Sequence, residues 1–166
     1  MTGHSLREDH RRLLPGIANL KETADLLFLA PVEHAIDETL RIEQFINHHV
    51  LPHARAEEQV FYAAVSRALG ASEATDLMLR DHAEIERLAA ELSELRSELT
   101  PAIITDEQRR RLRRLLYSIY AVLNLHLAKE DEILVPLLEK KLGREEAEQV
   151  AAAMARAAAE LEAKAL

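Results

Sequence analysis

The chain is 166 residues long, about one domain's worth, and its 48% hydrophobic and 30% charged residues exclude a disordered or fibrous protein. A net charge of −8 argues against nonspecific association with nucleic acid or an anionic membrane. There is no cysteine, which excludes disulfides, thiolate ligands and cysteine nucleophiles, so any metal held here must use nitrogen and oxygen.

Glycine and proline are few while Ala, Leu, Glu and Arg dominate, and the pattern predicts five helices with no alternating β-branched run. Ser5-Leu-Arg-Glu8 is a capping box for the first, which carries a stripe of Leu6, His10, Leu13, Leu14, Ile17, Leu20, Ala24 and Leu27. Ala30-Pro31 breaks the chain, and a second helix runs from there to Leu69 and stops at Gly70. Ser72 is the expected cap of a third helix, whose stripe includes Met78, His82, Ile85, Leu88, Ala89, Leu92 and Leu95 and which ends at Thr100-Pro101. Thr105-Asp-Glu-Gln108 is a second capping box, opening a fourth helix that stops at Gly143. An Ala-rich fifth helix over about 145–163 completes a single domain, with the bundle proper over about 5–143. The polar N-terminus lacks the apolar core of a secretory signal, and no run approaches the ~18 apolar residues of a membrane span, so a cytoplasmic location is expected.

The two halves repeat. Asp9-His10 recurs as Asp81-His82, offset by 72; His53, Glu57 and Gly70 recur as His126, Glu130 and Gly143, each offset by 73. Each half is thus a helical hairpin with a histidine on the outgoing helix and His-x-x-x-Glu on the returning one. Two such hairpins predict an all-α, up-down-up-down four-helix bundle, with the fifth helix, where Ala155 stands in place of a histidine, packed outside the site.

His10 and His82 occupy apolar stripes, and His53 with Glu57, like His126 with Glu130, share faces with Phe61 and Leu134. Burying a lone carboxylate is expensive, so these acids need partners or a metal. Four imidazoles and two carboxylates converging from four helices form a nitrogen–oxygen site suited to iron, manganese or zinc. Two bridging carboxylates would place two ions about 3.5–4 Å apart. A single histidine on a stripe is more often a hydrogen-bonded core residue; it is the duplicated set that points to metal.

Neighbouring residues are assigned other places. His34 lies 19 residues before His53, about 28 Å along an unbroken helix, too far to share the site. His49 has no counterpart in the repeat and is expected at the rim; Glu86 is expected on a solvated face. Glu58 and Asp131, about 140° around the helix from His53 and His126, should point away unless the helix is distorted. Pro15, Pro52 and Pro136 stand near the ligands and can re-aim them. The run Arg109 to Arg114 reads as solvated charge, and Tyr117 and Tyr120 lie off the ligand face.

Taken in order, His10, His53-x-x-x-Glu57, His82 and His126-x-x-x-Glu130 resemble the H–HxxxE–H–HxxxE signature of the hemerythrin-like (HHE cation-binding) domain family over about residues 5–143. The resemblance implies an up-down bundle holding a non-haem di-iron centre with an oxo or hydroxo bridge, His10, His53, His82 and His126 as terminal ligands, and Glu57 and Glu130 as bridges; manganese or zinc are the lesser options. Oxygen-carrying hemerythrins have an HxxxH pair on the third helix and a final HxxxxD, whereas here position 86 is Glu and Glu130 precedes Asp131. This departure leaves binding or sensing of O2, NO or iron as the leading role and peroxide- or O2-using di-iron oxidoreductase as the alternative. A metal-free structural bundle is the second alternative. The partner implied is a small diatomic molecule or peroxide. Glu-x-x-His, the motif of ferritin-like di-iron bundles, does not occur.

Overall fold

The structure, a computed structural model, describes residues 6–100 and 103–165. Among them five helices are found: α1 over Leu6–Leu26, α2 over residues 32–69, α3 over Asp76–Glu98, α4 over residues 106–142 and α5 over Arg144–Ala165. They contain no strand beyond an isolated bridge between Thr100 and Ile103. Ser5, His4 and Pro101 lie outside the described residues. α1 packs against α4, α4 against α3, α3 against α2 and α2 back on α1, which closes the expected four-helix bundle. α5 lies across the middle of α2 and the last turns of α4.

The stop and start signals act much as expected. Gly70 sits at φ 67°, and the Gly70 and Ala71 amides donate back to Arg67 and Ser66 carbonyls in a Schellman turn. At Thr105 both halves of the capping box form: its Oγ1 accepts from the Gln108 amide at 3.2 Å, and Gln108 Oε1 accepts from the Thr105 amide at 3.0 Å. Ser72 is a correction. It opens a 3-10 turn, Ser72–Thr75, and its hydroxyl donates to Glu73 rather than to a helix amide, so α3 starts only at Asp76. Leu14 is a second correction, lying exposed at the edge of the α1 stripe.

α2 and α4 are continuous but not uniform. Each contains widened turns in which an amide donates to the carbonyl five residues back: Leu51 to Ile46, Tyr62 to Glu57 and Val135 to Glu130. Pro52 and Pro136 follow directly on the first and third of these. A proline ring collides with the carbonyl four residues earlier and lacks an amide to bond it, and a wider turn relieves both problems. The turns at Glu57–Phe61 and Glu130–Leu134 occupy matching positions of the two halves. Pro15, in contrast, is absorbed inside α1 without such a turn.

The core is divided. One cluster, including Leu20, Ile42, Leu92, Leu116 and Ile119, fills the end of the bundle nearest the α1–α2 connection. A second, with Leu6, Phe61, Val65, Met78, Leu138 and Met154, fills the opposite end and joins α5 to the bundle. On every bundle helix the chain passes from one cluster to the other through a polar residue: Leu6–His10–Leu13, Val50–His53–Ala56, Met78–His82–Ile85 and Leu127–Glu130–Leu134. The histidines and glutamates of the repeat therefore form one polar layer between two apolar ones.

Candidate metal centre

All six repeat residues meet in that layer. His10, Glu57, His82, His126 and Glu130 are at most 2% exposed, and His53 is 7% exposed. Glu57 stands between the two pairs of rings. Its Oε1 is 3.3 Å from His10 Nε2 and 2.9 Å from His53 Nε2, and its Oε2 is 3.3 Å from His82 Nε2 and 3.9 Å from His126 Nε2. Glu130 spans the pairs the other way, with Oε2 3.3 Å from His10 Nε2 and 3.5 Å from His126 Nε2. Two groups of ligand atoms close enough to hold one ion each result, His10–His53–Glu57 and Glu57–His82–His126, with Glu57 common to both.

The outer nitrogens are held by carboxylates. Asp131 Oδ1 lies 2.8 Å from His10 Nδ1, Glu58 Oε1 2.8 Å from His82 Nδ1, and Asp81 Oδ2 3.2 Å from His126 Nδ1. A carboxylate only accepts, so each Nδ1 donates, and in the neutral ring the lone pair of Nε2 is left facing inward. This corrects the expectation that Glu58 and Asp131 point away. The widened turns begin at Glu57 and Glu130, and they let two consecutive acids both reach inward, the first to the centre and the second to the back of a ring on another helix. No proline stands at Ala63, the counterpart of Pro136; there the wide turn coincides with the bond that Glu58 accepts from His82 and the one that Tyr62 donates to Glu130.

Donor chemistry favours a cation in the middle. His82 Nε2 and His126 Nε2 face each other at 3.0 Å, and both lack a proton if Nδ1 carries it. His53 Nε2 and Glu130 Oε2 are buried without a hydrogen bond. Lone pairs and carboxylate charge brought together out of water repel unless something positive lies between them, and an uncompensated buried ion costs several kcal/mol. Even paired, charges buried in this way stabilise a fold no more than apolar side chains of similar volume, so the layer is not explained as a stability device. The residues present therefore fit a metal pair.

Without a cation, protons take its place. Burial pulls His10 down, but Asp131, Glu130 and Glu57 outweigh it and push its pKa up to about 12. Burial likewise opposes His82 and His126, and Glu57 in particular raises both. Burial alone would raise Glu57, yet the charge of His53 and bonds from His10 and His126 hold it well below the usual carboxylate range. Burial and the neighbouring Glu57 charge push Glu130 up.

Two participants were not singled out from the sequence. Asp81 holds His126 and is itself paired with Lys129; the signal was the repeated Asp-His dipeptide. Tyr62 donates its hydroxyl to Glu130 Oε1 at 2.6 Å and lies 3.3 Å and 3.4 Å from His82 and His126 Nε2. It breaks the repeat, since Val135 is its counterpart 73 positions on. The residues set aside stay aside: His34 is exposed on α2, His49 pairs with Glu162 at 3.1 Å, and Glu86 faces Arg55 with both more than half exposed. Arg110 and Arg111 are paired with Glu107 and Glu91 on the surface. Tyr117 bonds Asp25 outside the layer.

No helix among the described residues is long and apolar enough to cross a membrane. Residues 2–138 match the family model described as Hemerythrin HHE cation binding domain. No curated protein and no solved structure matches the chain.

Proposed function

The chain belongs to the hemerythrin HHE cation-binding domain family, and from that premise we propose that it is a non-haem di-iron protein that binds a small molecule such as O2, NO or peroxide. The observation that carries this reading is the position of Glu57, one oxygen toward His10 and His53 and the other toward His82 and His126. His10 and His53 would hold one iron, His82 and His126 the other, with Glu57 and Glu130 as bridges. The all-nitrogen–oxygen donor set suits iron, with manganese or zinc as lesser fits. When bound, an iron pair supplies coordination positions open to a small ligand and a redox change at each ion.

The chain's own residues prepare the site for that. Asp131, Glu58 and Asp81 fix the orientation and proton position of three rings. The two apolar clusters keep bulk water from the layer, which strengthens every charge interaction inside it.

A di-iron oxidoreductase acting on peroxide or O2 is the second reading, and Tyr62 favours it. Burial and the nearby Glu57 and Glu130 charges push its pKa up, so its hydroxyl keeps a proton and can offer it within the site. Catalase and oxidase assays on iron-loaded protein separate the readings: an enzyme turns over and slows in Tyr62→Phe, whereas a binder does neither.

Metal analysis tests the shared premise. Purified protein should hold about two iron per chain with an oxo-bridge absorption in the near ultraviolet. Glu57→Ala should abolish uptake of both ions because both groups need Glu57, while Glu130→Ala should weaken it. A colourless protein without metal, unchanged by the double substitution, would mean a metal-free structural bundle instead.

A further inference from the structure

Three of the four rings are backed by carboxylates, and His53 is not: among the described residues no acid lies against its Nδ1. It is also the most exposed of the six, at 7%. The reason is a cleft of about 700 Å3 between α1, α2 and α5 that has His53 in its wall. Phe45 and Gly16 form another part of the wall. The Phe45 ring lies so close to Gly16 that a Cβ there would meet it at 2.4 Å, so only glycine lets the ring rest against α1.

α5 supplies the opposite wall with Ala155 and Ala159. Ala155 occupies the position at which the repeat would place a third outgoing-helix histidine, 73 residues after His82. A methyl group in place of a ring leaves the space open. Across the cleft, His49 Nδ1 on α2 and Glu162 on α5 stand 3.1 Å apart, and Arg12 reaches it from α1. His53 lines the cleft, and its Nε2, on the way to the layer, is buried without a hydrogen bond.

We propose that this cleft is the passage by which small molecules of peroxide or azide size reach the metal pair from the side of His53. The His82–His126 half is closed off by the Tyr62 ring, stacked on His82 with centroids 5.4 Å apart. The chemistry of exchange rests on the di-iron reading; the passage rests on the cleft alone.

Two arms keep the proposals apart. Ala159 is exposed on α5, so Ala159→Trp fills the cleft without entering the core, and Ala155→Leu is a milder second plug. Leu125→Trp, on the outer face of α4, is the control. In stopped-flow mixing of iron-loaded protein with azide, both plugs should slow binding by about tenfold or more at unchanged iron content, and the control should not. In metal-free protein, diethyl pyrocarbonate should modify His53 ahead of His10, His82 and His126 in peptide mass maps, and Ala159→Trp should protect it. Azide rates and His53 labelling that ignore both plugs would overturn the passage and leave the di-iron reading intact. Protein that takes up no iron would overturn that reading, and the labelling arm would still decide whether the cleft leads to His53.

Discussion

His53 and Glu57 lie one turn apart on α2, a pair that on most helices would be a surface contact. Here their atoms are 2.9 Å apart in a largely buried layer, because apolar residues flank them on every helix. The carboxylates behind the rings hold them in place, and such partners commonly govern metal affinity by 10–100-fold (roughly) when removed. Asp131→Asn should accordingly weaken metal binding by about that factor in a competition titration without unfolding the protein. The site also sets opposite pH dependences with and without metal. The pKa of His10 is raised from 6.5 to about 12, so in metal-free protein its paired, protonated form adds stability that is whole below 6.5 and is lost as pH climbs toward 12. Thermal melts of metal-free protein should therefore drift downward from neutral to alkaline pH through this group. A metal must displace the same proton, so its affinity should rise over that range, with proton release measurable by calorimetry in buffers of different ionisation enthalpy.

Helix α2 shows how local chemistry and the site constrain each other. Pro52 follows a wide turn whose Leu51 amide already bonds five residues back, and Pro136 repeats the arrangement in α4. Ala63 follows the equivalent turn at Glu57–Phe61 and is exposed. Ala63→Pro should thus cost well under the ~3 kcal/mol of a proline in a regular helix interior, measured by urea denaturation. A full interior penalty would mean that the turn is not the proline-compatible one of the other half. The periodicity of the sequence located each helix to within a few residues. It assumed a uniform 3.6-residue turn, however, and that assumption turned Glu58 and Asp131 away from rings they bond. The prolines near the ligands were the legible sign of the departure; at Glu57–Phe61 no such sign exists.

At the scale of the molecule, the polar layer is possible because apolar clusters on both sides close it, and α5 completes the second of them. Met154, 1% exposed, is its anchor against Phe61, Val135 and Leu138. Met154→Ala should cost about 2–5 kcal/mol in thermal or denaturant unfolding, as for other buried large-to-small changes. A cost near zero would mean that α5 does not pack where the structure has it. The same helix leaves the cleft beside His53, so one element both seals the core and limits how much of the site is reachable.

By itself the sequence determined the helices, the two-fold repeat, the family and the six residues that converge, because hydrophobic period, capping chemistry and a recurring spacing are local properties that a chain displays before it folds. Only the tertiary structure decided which oxygen of Glu57 faces which ring, that Glu58, Asp131 and Asp81 back three of the histidines, that Tyr62 enters the layer, and that His53 alone borders a cleft. Apart from the contact of Glu57 with His53, those facts depend on distances between residues 20 to 121 positions apart, and on a change of helical pitch that shifts where a side chain points without leaving a period of its own in the sequence.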